Sequence, residues 1–104
     1  MVNARRKGAA AENEFKNELK ARGVDCERNL SQTRDGGHDI DDLPFALEIK
    51  RQERMDFPAC IRQTKEQAEL SGKQGALAWR RNREKWTIAV IYTIDEFAEL
   101  CKRI

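Results

Sequence analysis

Residues 45 to 52, FALEIKRQ, alternate with a period of two, so that Leu47 and Ile49 share one face of a strand and Glu48 and Lys50 the other. Such a strand belongs in a sheet that has core packed against it, yet it brings a carboxylate and an ammonium to the same face. Just upstream runs the acidic stretch Asp39-Ile40-Asp41-Asp42. Whatever fold the chain adopts must therefore place several charges beside a half-buried strand.

The neighbouring segments predict the rest of the fold. The spacing predicts a first helix from about Asn3 to Arg22, stopped by Gly23, with Ala11, Phe15 and Leu19 as its apolar stripe. Glu12 lies beside that stripe, whereas Glu14, Lys16, Asn17 and Lys20 are assigned to solvent. VDCERNL is read as a strand and SQTRDGG as an exposed polar loop. A hairpin around Asp42 to Pro44 should lead into the strand Phe45 to Gln52. Pro58 opens a second helix that ends near Ser71 before Gly72, with Ile61, Thr64 and Ala68 facing inward. GALAW and WTIAVIY flank a turn at Arg81 to Glu84. The last helix starts at the capping box Thr93-Ile94-Asp95-Glu96, with Phe97, Leu100, Cys101 and Ile104 expected on its buried face. Helix, strands, helix, strands, helix describes a mixed α/β domain with helices against one sheet.

A chain of 104 residues is expected to form one domain around a modest core. Its 20 Lys and Arg against 18 Asp and Glu leave a net charge of +2, too small to mark a nucleic-acid binder by itself. Local patches say more: Arg5, Arg6 and Lys7 precede any acid, and Lys73, Arg80, Arg81, Arg83 and Lys85 meet only Glu84. Both can neutralise phosphates. Cys26, Cys60 and Cys101 have neither disulfide nor zinc spacing and read as reduced core residues. No stretch reaches the ~18 apolar residues of a membrane helix, and the expected setting is soluble, intracellular and cytoplasmic.

The charged strand suits metal-assisted phosphodiester hydrolysis. Two carboxylates, Asp39 and Glu48, can hold Mg²⁺, which takes few protein ligands and keeps several waters, while Lys50 positions water or offsets developing charge. Asp41 and Asp42 compete with Asp39 for that role, although Asp42-Leu43-Pro44 reads as turn chemistry.

Two strings carry a family resemblance. Lys7-Gly8-Ala9-Ala10-Ala11-Glu12-Asn13-Glu14-Phe15 resembles the N-terminal signature of the archaeal-type Holliday-junction resolvases of the PD-(D/E)xK nuclease superfamily. Asp39 followed by Glu48-Ile49-Lys50 resembles their catalytic core, with His38 standing where the superfamily often has proline, and the closing hairpin is also similar. The resemblance implies a restriction-endonuclease-like fold and a Mg²⁺-dependent endonuclease, with Mn²⁺ as a substitute, acting in DNA recombination on branched DNA. It implies that Asp39, Glu48 and the Ile49 carbonyl bind metal, that Glu12 does so through water or a second ion, and that Lys50 is catalytic. It also implies a homodimer with paired sites, and DNA gripped by Arg5, Arg6 and Lys7. Ser31, Thr33 and Arg34 either contact DNA or keep their loop solvated. Other nucleases of the superfamily, or a DNA-binding module with an inactive site, are the alternatives.

Overall fold

The computed structural model describes residues 4–28 and 40–104, with backbone alone at 4–7 and 41. Helix α1 (Ala4–Ala21) ends where Gly23, at φ 86°, turns left-handed, a conformation that costs glycine little. The Gly23 amide then reaches the Lys20 carbonyl and the Val24 amide the Leu19 carbonyl, both at 3.0 Å. This pair of bonds closes the helix with its last carbonyls satisfied.

Strand β1 (Glu27–Arg28) pairs antiparallel with β2 (Ile40–Asp41). The expected hairpin between β2 and the next strand, β3 (Phe45–Arg51), does not form, because β2 takes β1 as its partner and lies in a separate two-stranded ribbon. The reason is local. Asp42 adopts φ 70° and Pro44 has no amide to donate, so residues 42–44 bend the chain from ribbon to sheet instead of folding it back.

Helix α2 (Phe57–Ser71) carries the chain from β3 to β4 (Gln74–Arg80), which runs parallel to β3. Asp56 caps its start by accepting the Ala59 amide at 3.1 Å, Pro58 sits in the first turn, and Gly72 ends it in the left-handed conformation. β5 (Thr87–Val90) returns antiparallel to β4, giving the sheet order β3-β4-β5. The result is a small mixed three-stranded sheet flanked by helices, as the sequence predicts.

The two faces of the sheet differ. On one, Leu47 and Ile49 of β3 and Ala76 and Ala78 of β4 pack with Ala11 and Phe15 of α1, Cys26 and Ile40. On the other, α2 comes close enough that a Cβ on Gly75 would lie 3.1 Å from the Thr64 side chain. Cys60 and Thr64 are the buried residues of α2, while Ile61 and Ala68 are half-buried.

Helix α3 (Ile94–Arg103) has the predicted capping box: the Thr93 hydroxyl accepts the Glu96 amide, and the Glu96 carboxylate accepts the Thr93 amide. Its expected buried face is not buried. Ile94 is 78%, Phe97 51% and Ile104 97% exposed, Cys101 is exposed and Leu100 is only half-covered. The helix is amphipathic, but it extends from the end of β5 without packing on the sheet, so Cys101 is not the core cysteine that Cys26 and Cys60 are.

Candidate active site

Glu48 sits in the middle of β3, opposite Leu77 of β4, and is 3% exposed. Period-two geometry turns it away from Leu47 and Ile49 and toward the α2 side of the sheet. Lys50, half-buried, follows on the same face opposite Trp79. Cys60 of α2 shares these surroundings: burial pushes its thiol pKa up, the Lys50 charge opposes that rise, and Asp56 and Glu48 add to it.

Glu12 comes from α1, which packs on β3. It is 4% exposed, as its place beside the Ala11–Phe15 stripe predicts, and its Oε1 accepts from Arg28 Nε of β1 at 3.4 Å. Two carboxylates this deeply buried are expensive unless opposite charge or a cation accompanies them. The sequence alone does not point to Arg28. It lies on a two-residue strand whose pairing is set by residues 40 and 41, so nothing local directs it to Glu12.

Among the described residues no three His, Cys, Asp or Glu side chains gather as a metal-binding group. Asp39, the third expected carboxylate, lies outside the described residues, as do Ser31, Thr33, Arg34 and His38. The side chains of Arg5, Arg6, Lys7 and Asp41 also lie outside them. Of the expected site residues, Glu12, Glu48, Ile49 and Lys50 are the ones described with their side chains.

Glu14, which the helical pattern assigns to solvent, is instead the junction of three elements. Arg80 of β4 grips it with two bonds, Nε to Oε1 at 2.7 Å and Nη2 to Oε2 at 3.0 Å, and Arg51 of β3 adds Nη1 to Oε2 at 2.6 Å. The Arg80 guanidinium also lies 5.6 Å from the centre of the Trp86 ring, which meets Phe15 edge-on at 5.0 Å. Glu14 therefore ties the helix that carries Glu12 to the strand that carries Glu48 and Lys50. A signal for this exists in the sequence: Glu14 lies three residues past Ala11 and directly before Phe15, at the border of the apolar stripe.

The same bonds reduce the second basic patch. Arg80 is held by Glu14, Arg81 Nε donates to the Glu53 carbonyl at 3.0 Å, and Lys73 Nζ donates to the Leu43 carbonyl at 3.0 Å. Exposed Arg83 and Lys85 are the residues of this patch best placed to meet phosphates.

The Arg80 bonds hold the Glu14 carboxyl below the usual carboxylate range against the opposing effect of burial, with Arg51 lowering it further. A depressed folded pKa stabilises above the unfolded value and loses that contribution as pH falls through the folded value. Glu14→Ala is accordingly expected to cost about 1–3 kcal/mol at neutral pH. The gap from wild type should narrow as pH falls below roughly 4. Urea unfolding of both proteins across that range measures it, and a pH-independent gap would remove ionised Glu14 as the cause.

No family model matches this sequence, and no curated protein matches it. Among solved structures, the chain is similar to Archaeoglobus fulgidus Hjc, a Holliday junction resolvase from an archaeal hyperthermophile. The two superpose with a TM-score of 0.57 over 76% of this chain and 72% of that one, at 19% sequence identity. The similarity shows a resolvase-like fold. Among the described residues no helix is long and apolar enough to cross a membrane.

Proposed function

We propose that the protein is a divalent-metal-dependent endonuclease that acts on branched DNA as a homodimer, in the manner of a Holliday-junction resolvase. The observation that carries this reading is the burial of Glu12 and Glu48 on two elements packed against each other, with Lys50 two residues beyond Glu48, in a fold shared with a resolvase.

The donor set fits a hard cation. Carboxylates at Glu12, Asp39 and Glu48 and the main-chain carbonyl of Ile49 are all oxygen ligands, the type that Mg²⁺ or Mn²⁺ takes. When bound, such an ion would polarise the phosphoryl group and lower the pKa of a coordinated water. The chain's own residues do the rest. Glu48 and Ile49 hold fixed positions on β3, Glu12 is oriented by Arg28, and Lys50 presents an ammonium to charge developing on the phosphate. Arg5, Arg6 and Lys7, with Ser31 and Arg34, would contact the DNA backbone. A second copy would supply the second cut that resolution of a junction requires, and the uncovered apolar residues of α3 and β5 support such pairing.

The test is incubation of the protein with Mg²⁺ and labelled linear, nicked, forked and four-way DNA. Preferential cleavage of the four-way substrate is expected. Equal cleavage of all four would assign the site to another kind of nuclease, and binding without cleavage in Mg²⁺ or Mn²⁺ would make the protein a DNA-binding module.

The basic N-terminal residues give a separate prediction. If they neutralise phosphates, replacing Arg5, Arg6 and Lys7 together with alanine should weaken binding to every DNA substrate. The slope of log K against log salt should become shallower by about 2–3, at roughly 0.9 for each phosphate no longer neutralised. An unchanged slope would make these residues a solvated tail.

A further inference from the structure

Among the described residues, the face of the sheet covered by α1 is incompletely layered. α1 packs over β3, and beside it a trough runs along β5, between Phe15 and Leu19 on one side and Trp86, Ile88 and Val90 on the other. Two adjoining cavities of about 490 and 290 Å³ make up this trough and share Phe15, Leu19 and Ile88 in their walls, the larger having a charged rim that includes Glu18, Arg22, Glu84 and Lys85. The smaller is lined entirely by apolar residues and proline, including Val24, Leu43 and Phe45. The same chain presents, on α3, an apolar stripe of Ile94, Phe97, Leu100, Cys101 and Ile104 that packs on nothing in its own sheet. The two match in length: a ten-residue helix is about 15 Å long, and the strand path from Trp86 to Val90 is about 16 Å.

We propose that α3 of one copy lies in the β5 trough of a second copy, and that the exchange is reciprocal about a two-fold axis. Each sheet would then gain the helix it lacks beside α1, and each α3 would bury its stripe. The areas suit a stable pair. At on the order of 150–200 Å² for a fully exposed large side chain, the exposed fractions of Val24, Ile88, Ile94, Phe97 and Ile104 come to roughly 500 Å² per copy. Leu100, Trp86 and Val90, each partly covered, add to this, which places the pair at the small end of stable interfaces, below the ~800 Å² per partner of a standard one.

This inference rests on the homodimer in the proposed function, but its test needs neither DNA nor metal. Failure here leaves the nuclease chemistry standing, and absence of cleavage leaves the dimer standing. Because Cys26 and Cys60 are buried, Cys101 on the α3 stripe is the thiol open to reagent in the folded chain. In sedimentation the wild type should be dimeric at micromolar concentration, and its Cys101 should react more slowly as concentration rises. Phe97→Asp, on the helix, and Ile88→Lys, in the trough, should each raise the dissociation constant by roughly 30-fold or more, as truncation of a central interface residue does. Both side chains are about half exposed in the single chain, so far-UV circular dichroism should show both variants folded. Mixed in equal amounts, the two variants should form a heterodimer, since one copy retains an intact trough and the other an intact helix. An Ile88→Lys variant that stays dimeric would indicate helix-to-helix contact, and a dimeric Phe97→Asp variant would indicate pairing of β5 edges; either overturns the exchange. A monomeric wild type overturns it too, whether its Cys101 is protected by the chain's own trough or freely reactive.

Discussion

Glu48→Gln is expected to reduce DNA cleavage by at least roughly a hundredfold, since removing even a supporting partner of a metal ligand costs about 10–100-fold. DNA binding should persist or tighten. The substitution keeps the shape of a side chain that is 3% exposed in the centre of β3, so a folded protein with an unchanged sheet is expected. Its charge, however, is what would hold a cation and what repels a phosphate. Asp39→Asn should behave in the same way. Single-turnover cleavage and equilibrium binding on one labelled junction, with a thermal melt to confirm folding, separate the two effects. Wild-type cleavage by Glu48→Gln would remove this residue from the mechanism.

The largest effect on stability is expected at Leu77, on the strand beside Glu48. Leu77 is 1% exposed in the middle of β4, opposite Glu48 on one neighbouring strand and Ala89 on the other. Its neighbour Gly75 on the same face already touches α2, which leaves the backbone little freedom to collapse into a cavity. Leu77→Ala should therefore cost about 2–5 kcal/mol, lowering Tm by roughly 10–25 °C in a domain of this size. Calorimetry without DNA or metal measures it. A destabilisation under ~1 kcal/mol would mean that α2 follows the truncated side chain inward, contrary to the packing described.

The contrast between these elements explains how much can be read from sequence. The first turn of α2 at Pro58 and its end at Gly72, the end of α1 at Gly23 and the capping box of α3 are decided by residues within one turn, and each is legible. Glu12 is legible for a similar reason, because its position beside Ala11 and Phe15 fixes its burial on a helix of known period. The Glu14 junction is not, since its arginines lie 37 and 66 residues away and only the packing of α1 on the sheet brings them together. The partner of β2 escapes sequence reasoning because its pairing joins residues 27–28 to 40–41, and no local pattern marks so distant a partner. On α3 the pattern of Phe97, Leu100, Cys101 and Ile104 shows an apolar face, but periodicity says only that such a face needs a partner, not whether the chain itself supplies it. The Glu48 and Lys50 face is legible as a charged strand face, although the depth at which Glu48 lies depends on α2 closing over it.

In the proposed function Glu12, Asp39, Glu48 and Lys50 form a metal-dependent site, paired by two-fold symmetry, that cuts branched DNA. The most direct measurement is to label a four-way junction in turn at each of its four 5′ ends and map the products after addition of Mg²⁺. Two nicks at symmetry-related phosphates in strands of like polarity are expected, with none when the metal is chelated and none with Glu48→Gln. Cleavage that persists in chelator or in Glu48→Gln, or a single nick with no symmetric partner, would contradict it.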